Sequence, residues 1–286
     1  SSTHEMLDHR LTDFGITTTF VDTADIESVK AAIQENTRLI YFESIANPTM
    51  KVADMNALVE VARQHEVLTV CDNTFASPCV IRPLEWGVDL VVESATKFIS
   101  GHSDVIGGAI CMKSEKLPAD FLEQIRWDTM VKWGSPLAPF NAWLLLRSMQ
   151  TLSIRVERQC QSAMKLANHF AQHEKVNRVW YPGLASHAQH ALAKMQMPTF
   201  GGMLSFDVGN ANKALKVLDS LKLACFAASL GGVRTTTQIP ASMAFLDIPE
   251  AERRQMGISD GMIRVSVGIE DIDDLIHDFD RALALV

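Results

Sequence analysis

Asp89-Leu90-Val91-Val92-Glu93-Ser94-Ala95-Thr96-Lys97 runs from a short apolar stretch into a hydroxyl-bearing turn that ends on a lysine. A second apolar stretch upstream, Leu68-Thr69-Val70-Cys71-Asp72-Asn73, ends on an aspartate. A lysine at a strand end can condense with an aldehyde, and the hydroxyls of Ser94 and Thr96 can hold a phosphate. A carboxylate on a neighbouring strand end, Asp72, can pair with a protonated pyridine nitrogen. Those three needs are the ones pyridoxal 5'-phosphate (PLP) places on a protein. No glycine-rich nucleotide loop precedes Lys97, which sets aside a lysine serving ATP.

Working outward, strand and helix alternate through the front half. Arg38-Leu39-Ile40-Tyr41-Phe42 reads as a strand, and Asp54 as the N-cap of a helix with Met55, Leu58, Val59 and Ala62 on one face. Further strands are expected at Leu68 to Cys71, Leu90 to Val92 and Gly108 to Met112. Short apolar strands separated by helices predict an α/β fold with a mostly parallel sheet between helices. Ligands of such sheets sit off the carboxyl ends of the strands, where Asp72 and the Ser94 to Lys97 turn both lie. Past Ser135-Pro136-Leu137-Ala138-Pro139 the pattern changes. One long helix is expected from about Phe140 to His173, then alternating strands at Met203 to Val208 and Ile263 to Val267, and a last helix from Asp271. The division expected is a cofactor-binding domain over 1–150 and a smaller C-terminal α/β domain over 151–286.

Composition narrows the class. The chain has 286 residues, 47% of them hydrophobic, enough for a sizeable core. A net charge of -8 without a basic cluster argues against nucleic acid or an anionic membrane as partner. No apolar run approaches the roughly 20 residues that span a bilayer. The five cysteines are scattered without a CxxC, as reduced thiols of a cytoplasmic protein would be, and Cys71 and Cys111 are expected in the core. The histidines include no HExxH motif and no metal is expected. Gly101-His102-Ser103-Asp104 lacks the glycine spacing of a nucleophile elbow, which excludes a serine hydrolase. The start, Ser1-Ser2-Thr3-His4, has no initiator Met and no signal-like segment, so the chain is expected to begin inside a longer protein.

Three further positions stay open on the residues alone. Asn47, held extended by Pro48, could donate to the phenolic oxygen of PLP or simply occupy an Asn-Pro turn. Arg264, on the strand face opposite Ile263 and Val265, could clamp a carboxylate or be an ordinary surface arginine. Ser229-Leu230-Gly231-Gly232 could offer a hydroxyl and amides to a carboxylate, or be a glycine turn.

Four segments in order then carry a resemblance: Glu43-Ser44-Ile45-Ala46-Asn47-Pro48, Val70-Cys71-Asp72-Asn73-Thr74-Phe75, Ser94 to Asp104, and Ile263 to Asp271. Together with Tyr181-Pro182-Gly183-Leu184 and Pro240-Ala241-Ser242-Met243, the chain resembles the Cys/Met-metabolism PLP enzymes. This group includes methionine γ-lyase, the cystathionine lyases and synthase, and the homoserine sulfhydrylases. The resemblance implies the aspartate-aminotransferase-like fold (fold type I) and PLP on Lys97. It implies Asp72 at the pyridine nitrogen, Ser94 and Thr96 at the phosphate, and Asn47 at the phenolic oxygen. Arg264 and Ser229 would bind the substrate carboxylate. It also implies a homotetramer with sites shared across a dimer interface. The family's N-terminal stretch, with its Tyr-Ser-Arg element, phosphate loop and stacking tyrosine, would then precede Ser1.

Two departures bear on substrate. Ala228 stands where cystathionine γ-lyases and γ-synthases usually carry Glu. Gln238-Ile239-Pro240 and Met243-Ala244-Phe245 replace the usual His-Pro and Thr-His pattern. The expected activity is a PLP-dependent carbon–sulfur lyase acting on a small sulfur amino acid, with methionine γ-lyase-like α,γ-elimination first. Cystathionine lyase or synthase or homoserine sulfhydrylase chemistry is the alternative. The non-enzyme rivals are an inactive fragment of such an enzyme and a PLP-binding protein without turnover.

Overall fold

A computed structural model describes residues 2–286. The front half builds a four-stranded sheet from β1 (Leu39–Glu43), β2 (Leu68–Asp72), β3 (Leu90–Glu93) and β4 (Ala109–Met112), in that spatial order. β1, β2 and β3 are parallel, so their carboxyl ends meet at one edge; β4 returns antiparallel. The sheet is therefore less uniformly parallel than the strand–helix alternation implies, because the Ser94 to Gly108 segment turns the chain straight back instead of crossing over through a helix. Between β1 and β2, Asp54 caps the helix Met55–Gln64 by accepting from the Ala57 N–H at 3.0 Å. That helix buries Met55, Leu58, Val61 and Ala62. Val59, expected on the buried face, lies on its flank and is half-buried.

Cys71 is buried, but Cys111 is exposed, against expectation. β4 is the edge strand, and an apolar sequence there has no further strand to cover it among the described residues. Ile106, Trp127, Trp133, Phe140 and Trp143 are exposed as well.

The long helix expected from Phe140 to His173 is two helices, Pro139–Met149 and Leu152–Gln172. The break has a polar cause. The Ser148 carbonyl at the end of the first helix accepts from Thr151 Oγ1 at 3.2 Å and from Arg155 Nη2 at 3.0 Å. These side chains join the Thr151 N–H, itself 3.2 Å away in a tightened last turn, in satisfying a carbonyl at the helix end.

The back half forms a second sheet from β5 (Arg178–Trp180), β6 (Met203–Asp207), β7 (Cys225–Phe226), β8 (Thr236–Gln238) and β9 (Met262–Ser266), ordered β5-β6-β9-β8-β7. All its pairs are antiparallel except β7 with β8. Every residue of β6 and β9 is buried. Ile263 and Val265 sit in a core with Phe170, Phe206 and Phe279, whose rings pack 4.4 to 6.1 Å apart. Arg264 lies on the other face and is only 4% exposed, which removes the surface-arginine reading. Both faces of β9 are covered, one by helices and one by the front half, and period-two alternation cannot tell a second covered face from a wet one. Among the described residues no helix is long and apolar enough to cross a membrane.

Candidate active site

The carboxyl ends of the three parallel strands deliver the first side chains of a cavity of about 320 Å³. Glu43 and Asp72 close β1 and β2 and stand opposite each other in register. Ser94 follows the last residue of β3. The cavity is lined by Asn47, Asp72, Ser94 and Lys97 from the front half, and by Ser229 and Arg264 from the back half. Of the seven residues singled out in the sequence, the structure brings these six together. Thr96 is the exception: its hydroxyl donates to the Gly107 carbonyl at 3.3 Å and accepts the Gly107 N–H at 3.0 Å, and it does not line the cavity. The turn that carries Lys97 needs that hydroxyl to tie its two limbs together.

The Lys97 turn is held from three sides. Internally, the Lys97 N–H reaches the Ser94 carbonyl at 3.0 Å and the Gly101 N–H the Lys97 carbonyl at 2.7 Å. From the helix Leu152–Gln172, buried Arg155 donates Nη1 to the Phe98 carbonyl at 2.8 Å and Nη2 to the Ile99 carbonyl at 3.1 Å. From the back half, Gly231 at φ +77 presses against the turn. A Cβ there would stand 2.5 Å from the Phe98 nitrogen and 2.9 Å from the Lys97 carbonyl carbon.

Lys97 Nζ donates to Ser229 Oγ at 3.0 Å. Burial lowers the Lys97 pKa, and the nearby Arg264 cation lowers it further. Arg264 itself is pushed down to about 10 by burial. Its Nη1 donates to Asn47 Oδ1 at 3.2 Å and its Nη2 to the Ser229 carbonyl at 2.8 Å. Its Nε is buried without a partner in the protein. Asp72 accepts from Tyr41 Oη at 3.2 Å and from the Thr74 N–H at 3.0 Å, so both its oxygens are oriented. Glu43 Oε2 accepts the Asn47 N–H at 2.9 Å. Burial raises the Glu43 carboxyl to about 7, the Asn47 N–H pulls the other way, and the Asp72 charge adds to the rise.

This donor set fits pyridoxal phosphate. It offers an amine biased toward its neutral, nucleophilic form, a fixed carboxylate for a ring N–H, and the Ser94 hydroxyl for a phosphate oxygen. Tyr41, Glu43 and Arg155 escape a reading of the sequence. Tyr41 and Glu43 could have been found from the alternation of β1 once its register against Asp72 was known. Arg155 carries no local signal, since an arginine in mid-helix is ordinarily solvated.

Comparison with known proteins gives the family. The family model described as Cys/Met metabolism PLP-dependent enzyme matches residues 1–284. A cystathionine beta-lyase of Coxiella burnetii is 44% identical over 270 residues, covering 94% of this chain and 69% of that protein. An L-methionine gamma-lyase of Fusobacterium nucleatum is 42% identical over 283 residues, covering 98% of this chain and 71% of that protein. Among solved structures, a cystathionine gamma-lyase of Lactobacillus plantarum complexed with L-serine superposes with a TM-score of 0.92 at 38% identity, over 99% of this chain and 73% of that one. A putative O-acetylhomoserine (thiol)-lyase of Campylobacter jejuni, containing a pyridoxyl-lysine phosphate, reaches 0.96 at 32% identity, over 99% of this chain and 74% of that one. The fold is therefore that of the type I PLP enzymes, and the chain belongs to the Cys/Met metabolism family of PLP-dependent enzymes.

Proposed function

We propose that the protein is a PLP-dependent carbon–sulfur lyase of sulfur amino-acid metabolism, working through Lys97. The observation that carries this reading is the position of Lys97 Nζ. It stands 3.0 Å from Ser229 Oγ, in one cavity that Asp72 and Arg264 also line. The amine thus shares one cavity with a residue suited to the cofactor ring and one suited to a substrate carboxylate. Bound there, PLP supplies an electron sink for bonds broken at the substrate's α carbon.

The residues divide the rest of the work. Asp72, oriented by Tyr41 and Thr74, would pair with the ring nitrogen and hold a proton there. Ser94 would hold the phosphate, and Asn47 would donate to the phenolic oxygen. Thr96 acts one step back, by bracing the turn that carries Lys97. Arg264 and Ser229 receive the substrate carboxylate. Lys97 Nζ, biased toward its neutral form, takes the proton from the substrate α carbon and then serves the β carbon.

Methionine γ-lyase-like α,γ-elimination is the first choice, supported by the small apolar Ala228 beside Ser229. Cystathionine cleavage is the second reading, favoured by the identity to the Coxiella cystathionine beta-lyase. L-Methionine should yield methanethiol, ammonia and 2-oxobutanoate, with one water consumed. Cystathionine should yield a ketoacid and either cysteine or homocysteine, according to which C–S bond breaks. Absence of ketoacid from both substrates, with PLP bound, would remove the lyase assignment.

The same reading extends to assembly and location. A homotetramer of dimers that share sites is supported by the exposed Trp127, Trp133, Phe140 and Trp143. Sedimentation of the holoprotein tests it. A cytoplasmic setting is supported by the five free thiols. We place the junction of two units near Thr151, where the paired helices break.

A further inference from the structure

Arg264 is the middle of a buried polar row that crosses three strands of the back sheet. On one side it stands in register with Ser205 of β6, on the other with Gln238 of β8. Residues directly opposed in antiparallel pairs project from the same face. All three are buried: Ser205 is 0% exposed, Arg264 4% and Gln238 3%.

Two members of the row are spent on one target. Ser205 Oγ donates to the Pro48 carbonyl at 2.8 Å, and Arg264 Nη1 to Asn47 Oδ1 at 3.2 Å. Together they dock the Asn47–Pro48 turn onto the back sheet. Gln238 is different. Its Nε2 is buried and finds no acceptor in the protein, and its side chain lines the same cavity as Lys97 and Arg264. Arg264 Nε is the other buried donor in this row without a partner. Two buried donors without a protein partner thus stand on neighbouring strands, both on residues that line one cavity, and the two oxygens of a carboxylate match such a pair.

We propose that Gln238 is a substrate-contacting residue. Its amide takes one oxygen of the substrate's carboxylate while Arg264 takes the other. The inference rests on the reading above that the substrate's carboxylate enters at Arg264. A neutral amide suits this place. It donates without adding a second cation beside Lys97, whose amine must stay deprotonated to act.

The test is equilibrium binding of L-serine to the PLP-loaded protein by calorimetry, with L-serinamide as the probe that lacks the carboxylate. Gln238→Met keeps the length and removes the donor. It should weaken L-serine about tenfold, the worth of one hydrogen bond to a charged group. L-Serinamide affinity and melting temperature should stay as in the parent. Gln238→Glu puts a carboxylate against a carboxylate and should weaken L-serine further. Should the Met variant fail to fold, Gln238→Asn, a donor one carbon too short, takes its place with the same expectation. Unchanged L-serine affinity in these variants, or an equal loss for L-serinamide, would overturn the proposal. Arg264→Lys separates the two failures. If it weakens L-serine while Gln238→Met does not, Gln238 alone is misassigned. If it too leaves L-serine unchanged, the carboxylate lies elsewhere and both readings fall.

Discussion

Tyr41 and Asp72 lie on adjacent parallel strands, and the Tyr41 hydroxyl donates to Asp72 Oδ2 at 3.2 Å. Burial, and then the Asp72 charge, push the tyrosine pKa up, so the hydroxyl stays a donor throughout the working range. Asp72 keeps its second tether, the Thr74 N–H, when the hydroxyl is removed. Tyr41→Phe should therefore retain PLP but loosen the carboxylate beneath it. A fall in kcat of about tenfold, with KM nearly constant, is the size expected from one misaligned hydrogen bond. Steady-state kinetics on the PLP-loaded variant checks it, and an unchanged kcat would show that Tyr41 only fills space.

Lys97→Ala removes the amine while leaving the turn, which is held by backbone and by side chains such as Thr96 and Arg155. The variant should fold with the parent's melting temperature and lose the long-wavelength absorbance of attached cofactor. Turnover should fall by about 10³-fold or more, the scale of a lost acid–base group. Retained colour together with retained turnover would sink the assignment of Lys97.

Gly231 cannot accept a side chain without moving the backbone beneath Lys97. Its φ of +77 disfavours any L-residue, and the Cβ would meet the Phe98 nitrogen at 2.5 Å. Gly231→Ala should destabilise the fold by about 2 kcal/mol or more. It should also depress cofactor affinity, because the turn it displaces carries Lys97. Thermal melting and PLP titration measure the two effects. Loss of stability with full PLP affinity would mean that the turn yields without moving the amine.

Glu93 is 8% exposed and accepts from Asn73 Nδ2 at 2.9 Å. Burial raises its carboxyl to about 7, from an ordinary 4.5, against the pull of Asn73. A carboxyl with a raised folded-state pKa holds its proton in the fold after the unfolded chain has released it. Its contribution to stability is complete below pH 4.5 and is lost as pH rises through about 7. Glu93→Gln should flatten that slope and leave the variant more stable than the parent above pH 7, by on the order of 3 kcal/mol. Urea melts across this range decide it. Parallel slopes for parent and variant would place the titration elsewhere.

The parts of the site legible in the sequence are those in which chemistry and local structure coincide. Lys97 and Asp72 follow apolar strands directly, so their placement at the sheet edge needs only the strand and its end. Asn47 stayed open, because an Asn-Pro turn looks the same with or without a ligand beside it. Arg264 stayed ambiguous because its burial depends on what packs across the strand, and that is decided by the front half docking on β9. Thr96 looked equivalent to Ser94 two residues earlier. Only the fold of the turn reveals that Ser94 lines the cavity while the Thr96 hydroxyl is bonded to Gly107. Glu43, Tyr41 and Gln238 become visible once strands are aligned, since each matters through a partner on the neighbouring strand. The helix break at Thr151 and the exposure of Cys111 both come from interactions that no period records, a side chain capping a foreign carbonyl and an edge strand left bare.

The contacts that join the two halves span long stretches of chain: 132 residues from Lys97 to Ser229, and 217 from Asn47 to Arg264. During synthesis the reactive amine and its aspartate emerge early, whereas the arginine opposite them arrives only with β9. A ribosome halted before residue 262 would present Lys97 with nothing to grip an amino acid beside it. Closing such wide loops adds little entropy beyond that of closing shorter ones. The delay therefore lies in translation rather than in the final docking, and readiness for substrate becomes a property that the chain acquires only as it nears its last helix.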